Sequence, residues 1–171
     1  MLDIGENSLN GYERNCLFRN NGDGTFTDVA YVNLADRVED GRAVSIFDYD
    51  ADGCPDILIR NYRQPAQVLR NRGGGGHWLE VKLLGARSNR DAVGARVTAV
   101  TGPARQLRVV NAGSGYLANS SLVQHFGLGA AQWVDRLEIT WPSGLKSELR
   151  DVHADWRLVV TEGVAAVAAP P

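Results

Sequence analysis

The stretch Asp48-Tyr49-Asp50-Ala51-Asp52-Gly53-Cys54-Pro55-Asp56 sets four carboxylates around one glycine within nine residues. Like charges that close repel unless something neutralises them, and Ca²⁺, which takes six to eight oxygens in flexible geometry, does this well. The flanks Ala43-Val44-Ser45-Ile46-Phe47 and Ile57-Leu58-Ile59 are β-branched and apolar, so the acidic loop is expected to join two strands. Asp48, Asp50, Asp52 and Asp56 are the candidate side-chain ligands of a Ca²⁺ ion, and Cys54 is expected to contribute its backbone carbonyl.

The D-x-D-x-D-G spacing matches the first half of an EF-hand loop, with Gly53 at the sharp turn. The second half differs, because Asp56 closes the loop at its ninth position where an EF-hand has Glu at the twelfth, and strands replace the flanking helices.

Upstream, Cys16-Leu17-Phe18-Arg19-Asn20 and Thr25-Phe26-Thr27-Asp28-Val29 read as strands joined by the turn Asn21-Gly22-Asp23-Gly24. Residues 1–14 are polar and read as an N-terminal loop. Downstream, Val68-Leu69-Arg70-Asn71-Arg72-Gly73 repeats Leu17-Phe18-Arg19-Asn20-Asn21-Gly22 at an offset of 51 residues, a period typical of a β-repeat or propeller blade. On these words, "LFRNNGDGTFTDV" and "GRAVSIFDYDADGCPDILI", residues 15–73 resemble one FG-GAP or VCBS repeat, the calcium-bearing blade of integrin-type propellers. The resemblance implies the same ligand positions, Asp48, Asp50, Asp52 and Asp56. A closed propeller needs at least four blades. A lone blade exposes apolar faces, so this one is expected to pack on the second half of the chain or to form a homodimer through the repeat.

Gly73 to Gly76 opens into a strand with no helix and no following Lys or Ser, which excludes a phosphate loop, and it reads as a flexible linker. Beyond it, short strands are expected at Trp78–Leu84, Ala95–Thr101, Gln106–Asn111, Gln124–Gly127, Arg136–Trp141, Lys146–Arg150 and Arg157–Thr161. Such spacing predicts an antiparallel β-sandwich or open barrel over residues 77–162, followed by a disordered tail at 163–171. The fold class is therefore all-β. The words "SNRDAVGARVTAV", "GSGYLANSS", "HFGLG" and "VDRLEITWPSGLKSELRDV" resemble the ASPIC and UnbV domain, which in its family follows FG-GAP or VCBS repeats.

The formal net charge of −2 argues against nucleic acid as a partner. No signal peptide or membrane span is legible. Cys16 and Cys54 lack zinc-site spacing and are consistent with either one disulfide or two buried thiols. His77, His125 and His153 form no HExxH, and Gly113-Ser114-Gly115 is not a nucleophile elbow, so no catalytic set is singled out. Arg90, Ser114, Tyr116 and His125, from the distinctive motifs of the second half, are the candidates for a ligand pocket. The resemblance implies a calcium-binding, extracellular or cell-envelope module that recognises a protein or glycan in an adhesion role. The alternative it carries is an enzyme or small-molecule-binding accessory protein of bacterial secondary metabolism.

Overall fold

The computed structural model describes residues 13–164 and the backbone of 167–169. These residues form thirteen strands and no helix, so no helix among them is long and apolar enough to cross a membrane. The expected N-terminal loop lies, up to residue 12, outside the described residues.

The first half holds two small sheets. Strands β1 (Phe18–Asn20) and β2 (Phe26–Asp28) pair antiparallel across the expected turn, where Gly22 and Gly24 take φ of +83° and +88°. Strands β3 (Gly41–Phe47), β4 (Asp56–Asn61) and β5 (Gln67–Leu69) form an antiparallel sheet in that order. Phe47 pairs with Asp56, so the acidic loop is the β3–β4 connection, as its apolar flanks predict.

The second half is a sandwich of two four-stranded sheets, neither closed into a barrel. One sheet runs β11 (Lys146–His153), β10 (Trp133–Thr140), β7 (Arg96–Thr101), β8 (Ala104–Val109), all antiparallel. The other runs β13 (Val167–Ala169), β12 (Trp156–Thr161), β6 (His77–Leu84), β9 (Gln124–Gly129). Alternation builds the core between them. Leu79, Val81 and Leu83 of β6 meet Val97 and Ala99 of β7, Phe126 of β9, Leu137 and Ile139 of β10 and Leu158 and Val160 of β12, all buried. Trp141 is 2% exposed beside them, its indole N–H donating to Ser147 Oγ at 2.9 Å. Burying a side chain of this class contributes about 1.5–3 kcal/mol, so this layer dominates the stability of the fold.

Three expectations need correction. Strand β8 begins at Ala104, not Gln106, because Thr101 pairs with Ala104 and leaves Gly102-Pro103 as a two-residue hairpin loop, Gly102 at φ +54°. The sandwich is not wholly antiparallel, since β12 runs parallel to β6. Asp155, at φ +60°, pins the two strand starts together: its N–H donates to the Trp78 carbonyl at 2.6 Å and its carboxylate meets Trp78 N and His77 Nδ1 at 3.2 and 2.6 Å. The tail expected to be disordered contributes β13, whose residues 167–169 pair antiparallel with β12; residues 165, 166, 170 and 171 lie outside the described residues.

One buried carboxylate braces the end of the sandwich. Glu162, 2% exposed, accepts the backbone N–H groups of Ala86, Arg87 and Ser88 at 2.9, 2.6 and 2.7 Å, the Ser88 hydroxyl at 2.9 Å and the Ser143 hydroxyl. Burial pushes its carboxyl up, but the hydrogen bonds from Ser143, Ser88 and Arg87 outweigh it and bring it down to about 2. An unfolded Glu titrates near ~4.3. A depressed folded value stabilises the fold above the unfolded one, and that contribution fades as the pH falls toward about 2. Glu162→Gln, which keeps the shape but loses the charge, is therefore expected to melt well below the wild type at pH 7, with the gap narrowing as pH drops from ~4.3 toward 2. Paired thermal melts across that range check it, and a constant gap would refute the role.

Candidate metal centre

The acidic loop turns its carboxylates inward. Asp48, Asp50 and Asp56 each offer a carboxylate oxygen, and the three oxygens lie within 4.8 Å of one another. Asp56 is fully buried; one oxygen accepts Tyr49 N–H at 3.1 Å and the other Asn71 N–H at 2.7 Å, so it ties the loop to the chain leaving β5. Asp48, with 3% of its side chain exposed, accepts Asp52 N–H at 3.1 Å on Oδ1 and Gly53 N–H at 2.9 Å on Oδ2. Asp52 lies outside the trio: its Oδ1 accepts Cys54 N–H at 2.9 Å, which shapes the turn.

Two arginines approach the cluster. Arg70 Nη2 sits 2.7 Å from Asp50 Oδ2 and 3.5 Å from Asp52 Oδ2, and the Asp50 charge pushes its own pKa up. Arg157, from β12, donates to Asp48 Oδ2 at 2.7 Å, and its Nε lies 2.8 Å from Glu80 Oε2, an ion contact without hydrogen-bond alignment. Burial raises the Glu80 carboxyl and Arg157 opposes that rise. One atom remains without any partner: Asp50 Oδ1 is buried and accepts no hydrogen bond. Arg70 meets the charge of this carboxylate only at Oδ2; a hard cation beside the Asp48 and Asp56 oxygens would satisfy Oδ1 as well.

The loop rests on the outer face of β6, β9 and β12. Glu80 is in register with Arg157 on one side and His125 on the other, so these three form one row across the sheet. His125 Nε2 lies 2.8 Å from the Gly53 carbonyl, and its ring stacks with Trp78 at 6.4 Å between centroids. Gly53 takes φ +84°, and a Cβ there would fall 2.1 Å from the Trp78 indole, so both backbone conformation and contact demand glycine. Ser121 N–H donates to the Ile46 carbonyl at 3.0 Å, and Ile46 N–H to Ser120 Oγ at 3.2 Å, which extends the same contact along β3.

The four pocket candidates are not gathered in one cavity. Tyr116, 69% exposed, lines an open groove of about 800 Å³ with Arg42, Arg60, Tyr62 and Leu117. Ser114 is exposed on the same loop as Tyr116 without lining that groove, Arg90 is exposed on another turn, and His125 is engaged beneath the acidic loop. Cys54 donates its N–H to Asp52, and burial pushes its thiol pKa up. Both cysteines are free, Cys16 exposed and Cys54 half-buried, so the structure holds neither the disulfide nor a pair of buried thiols. Arg157, Glu80, Arg70 and Asn71 escaped the reading of the sequence. The repeated Arg-Asn word at 70–71 was a usable signal for two of them, whereas Glu80 and Arg157 become neighbours only through the parallel pairing of distant strands.

Residues 7–59 match the FG-GAP-like repeat and residues 85–167 match the family described as ASPIC and UnbV. The chain is thus an all-β protein built as a repeat followed by a sandwich, and it belongs to the ASPIC and UnbV domain proteins preceded by an FG-GAP-like repeat. It is similar to cartilage acidic protein 1 of Mus musculus and of Homo sapiens, each 36% identical over 121 residues, covering 66% of this chain and 18% of theirs. The same protein of Xenopus tropicalis is 35% identical over 112 residues, covering 61% of this chain and 17% of its own. The chain therefore spans less than a fifth of the curated relatives it matches.

Asp56 is expected to matter even without a cation. Asp56→Ala leaves two part-buried N–H donors, those of Tyr49 and Asn71, without their acceptor, at up to about 1–3 kcal/mol each. The variant should lose up to ~2–6 kcal/mol in chelator, measured by urea unfolding. A loss below about 1 kcal/mol would show that water or loop movement satisfies these donors.

Proposed function

We propose that this chain is a calcium-binding β module of extracellular or cell-envelope type, whose surfaces recognise a protein or glycan. The observation that carries the calcium part is the buried Asp50 Oδ1, which accepts no hydrogen bond, in one cluster with the Asp48 and Asp56 carboxylates, whose oxygens are already ordered by backbone N–H groups. Asp48, Asp50 and Asp56 would hold the ion, with the Cys54 carbonyl as backbone ligand and Asp52 shaping the turn between them. The ion's charge would offset the repulsion of the cluster and rigidify the β3–β4 connection.

The recognition part is supported by surface aromatics. Trp133 and His153 lie 3.6 Å apart between centroids, and His153 stacks with Trp156 at 5.4 Å, with Trp133 42% exposed. A partly exposed aromatic cluster of this kind suits the apolar face of a sugar ring or a peptide side chain. Phe18, Phe26, Val44 and Val68 stay exposed on the repeat, which supports self-association through it or cover by a partner. The extracellular setting is supported by the repeat class and by the similarity to cartilage acidic protein 1.

A cation site of this charge has Kd of ~10⁻⁵ M, the middle of the range for such loops. At ~1 mM Ca²⁺, about 100 times that Kd, binding adds ~2.7 kcal/mol to folding. At about 2–4 °C per kcal/mol for a chain of this size, calcium is expected to raise Tm by roughly 5–11 °C over a chelated sample. Mg²⁺ should do much less, since it demands a smaller octahedral shell. Asp50→Ala should abolish most of the calcium effect while melting in chelator at or slightly above the wild type. A wild-type midpoint indifferent to calcium would overturn the assignment.

A further inference from the structure

We propose that the sandwich domain holds the cation loop in its binding geometry, with His125 and Arg157 as positioning residues, so that cation binding and loop docking are one linked equilibrium. The inference rests on the reading of the loop as a cation site. Its own basis is the set of contacts the loop makes with the sheet face beneath it.

Three contacts reach the loop from the second half of the chain, each at a residue flanking the partnerless Asp50. On one side, Arg157 grips Asp48 Oδ2 at 2.7 Å and so fixes the rotation of that carboxylate. On the other side, His125 Nε2 faces the Gly53 carbonyl at 2.8 Å; the acceptor is a carbonyl, so this nitrogen carries the proton and donates. Between them Trp78 lies so close to Gly53 that a methyl group there would overlap the indole. The loop therefore sits on β6, β9 and β12 in a single register, and the orientations of Asp48 and Gly53 are set from outside the loop.

The electrostatics fit this role. An arginine beside a cation ligand would ordinarily compete with the ion, but Glu80 sits beside Arg157 and opposes its charge. The row Arg157, Glu80, His125 thus offers directed contacts to the loop with much of its positive charge neutralised. Undocked, the loop must order Asp48 and Gly53 at the moment of ion capture, which weakens binding. By linkage, the ion strengthens docking by the same factor.

The test is calorimetric Ca²⁺ titration of the full chain, with His125→Ala and His125→Gln beside the wild type. His125→Ala is expected to weaken Ca²⁺ about tenfold, within the usual span of coupling between sites. His125→Gln, whose amide N–H can reach the Gly53 carbonyl, should recover most of that loss. In the unaltered chain, Ca²⁺ should slow hydrogen exchange in β6, β9 and β12 as well as in the loop. Equal affinities for wild type and His125→Ala, or exchange slowed by Ca²⁺ in the loop alone, would overturn the linkage while leaving the cation reading intact. No Ca²⁺ binding by the wild type would overturn both.

Discussion

Everything around the acidic loop answers one constraint, the mutual repulsion of Asp48, Asp50, Asp52 and Asp56. At separations of a few ångströms, like charges in a partly desolvated site cost several kcal/mol unless opposed. The fold opposes them in three ways. Backbone N–H groups of Tyr49, Asp52, Gly53, Cys54 and Asn71 point at the carboxylates. Arg70 closes the solvent side, and Arg157 reaches in from the sandwich. What remains is one buried oxygen on Asp50 that accepts no hydrogen bond, the feature on which the proposed cation site rests.

The same constraint explains why the two halves adhere. A polar row across the outer face of a sheet is normally a solvated surface, and Glu80 at an outward position of β6 would be exposed in an isolated sandwich. It is 8% exposed, flanked in register by Arg157 and His125, the two residues that reach the loop. Burying Glu80 and Arg157 together is tolerable only because each has an opposing charge, and removing either would leave the other costly to keep there. Among the described residues the halves are joined by a charge network and a glycine-sized notch over Trp78, while the large buried apolar cluster lies within the sandwich itself.

This division marks what the sequence could tell. The loop, its flanking strands and the hairpin were legible, because their signals are local: carboxylate spacing, glycine at the turn, β-branched flanks. The sandwich strands were legible by alternation, though the Gly102-Pro103 hairpin and β13 were missed, the first because Pro103 masks a strand start and the second because an alanine-rich tail gives no period. Arg157 and Glu80 were not legible at all. They stand 77 positions apart and meet through the parallel pair β12–β6, which no local pattern announces. His125 was picked out, but for a pocket; its ring lies under the loop.

The repeated word Arg-Asn shows how far context outweighs identity. In its first copy Arg19-Asn20 ends β1, and the Asn20 side chain accepts Gly22 N–H at 2.8 Å, an ordinary exposed turn. In its second copy Arg70-Asn71 follows β5, and because β5 pairs with β4 the same two residues arrive beside the loop, where Arg70 meets Asp50 and the Asn71 N–H meets Asp56. The residue types are suited to both jobs, since each side chain carries donors and the backbone N–H of either can cap a carboxylate. Which job they do is decided by strand pairing. The geometry of the acidic loop is therefore a property of three segments: the acidic stretch that supplies the charge, the repeat word that caps it, and the sandwich face it rests on.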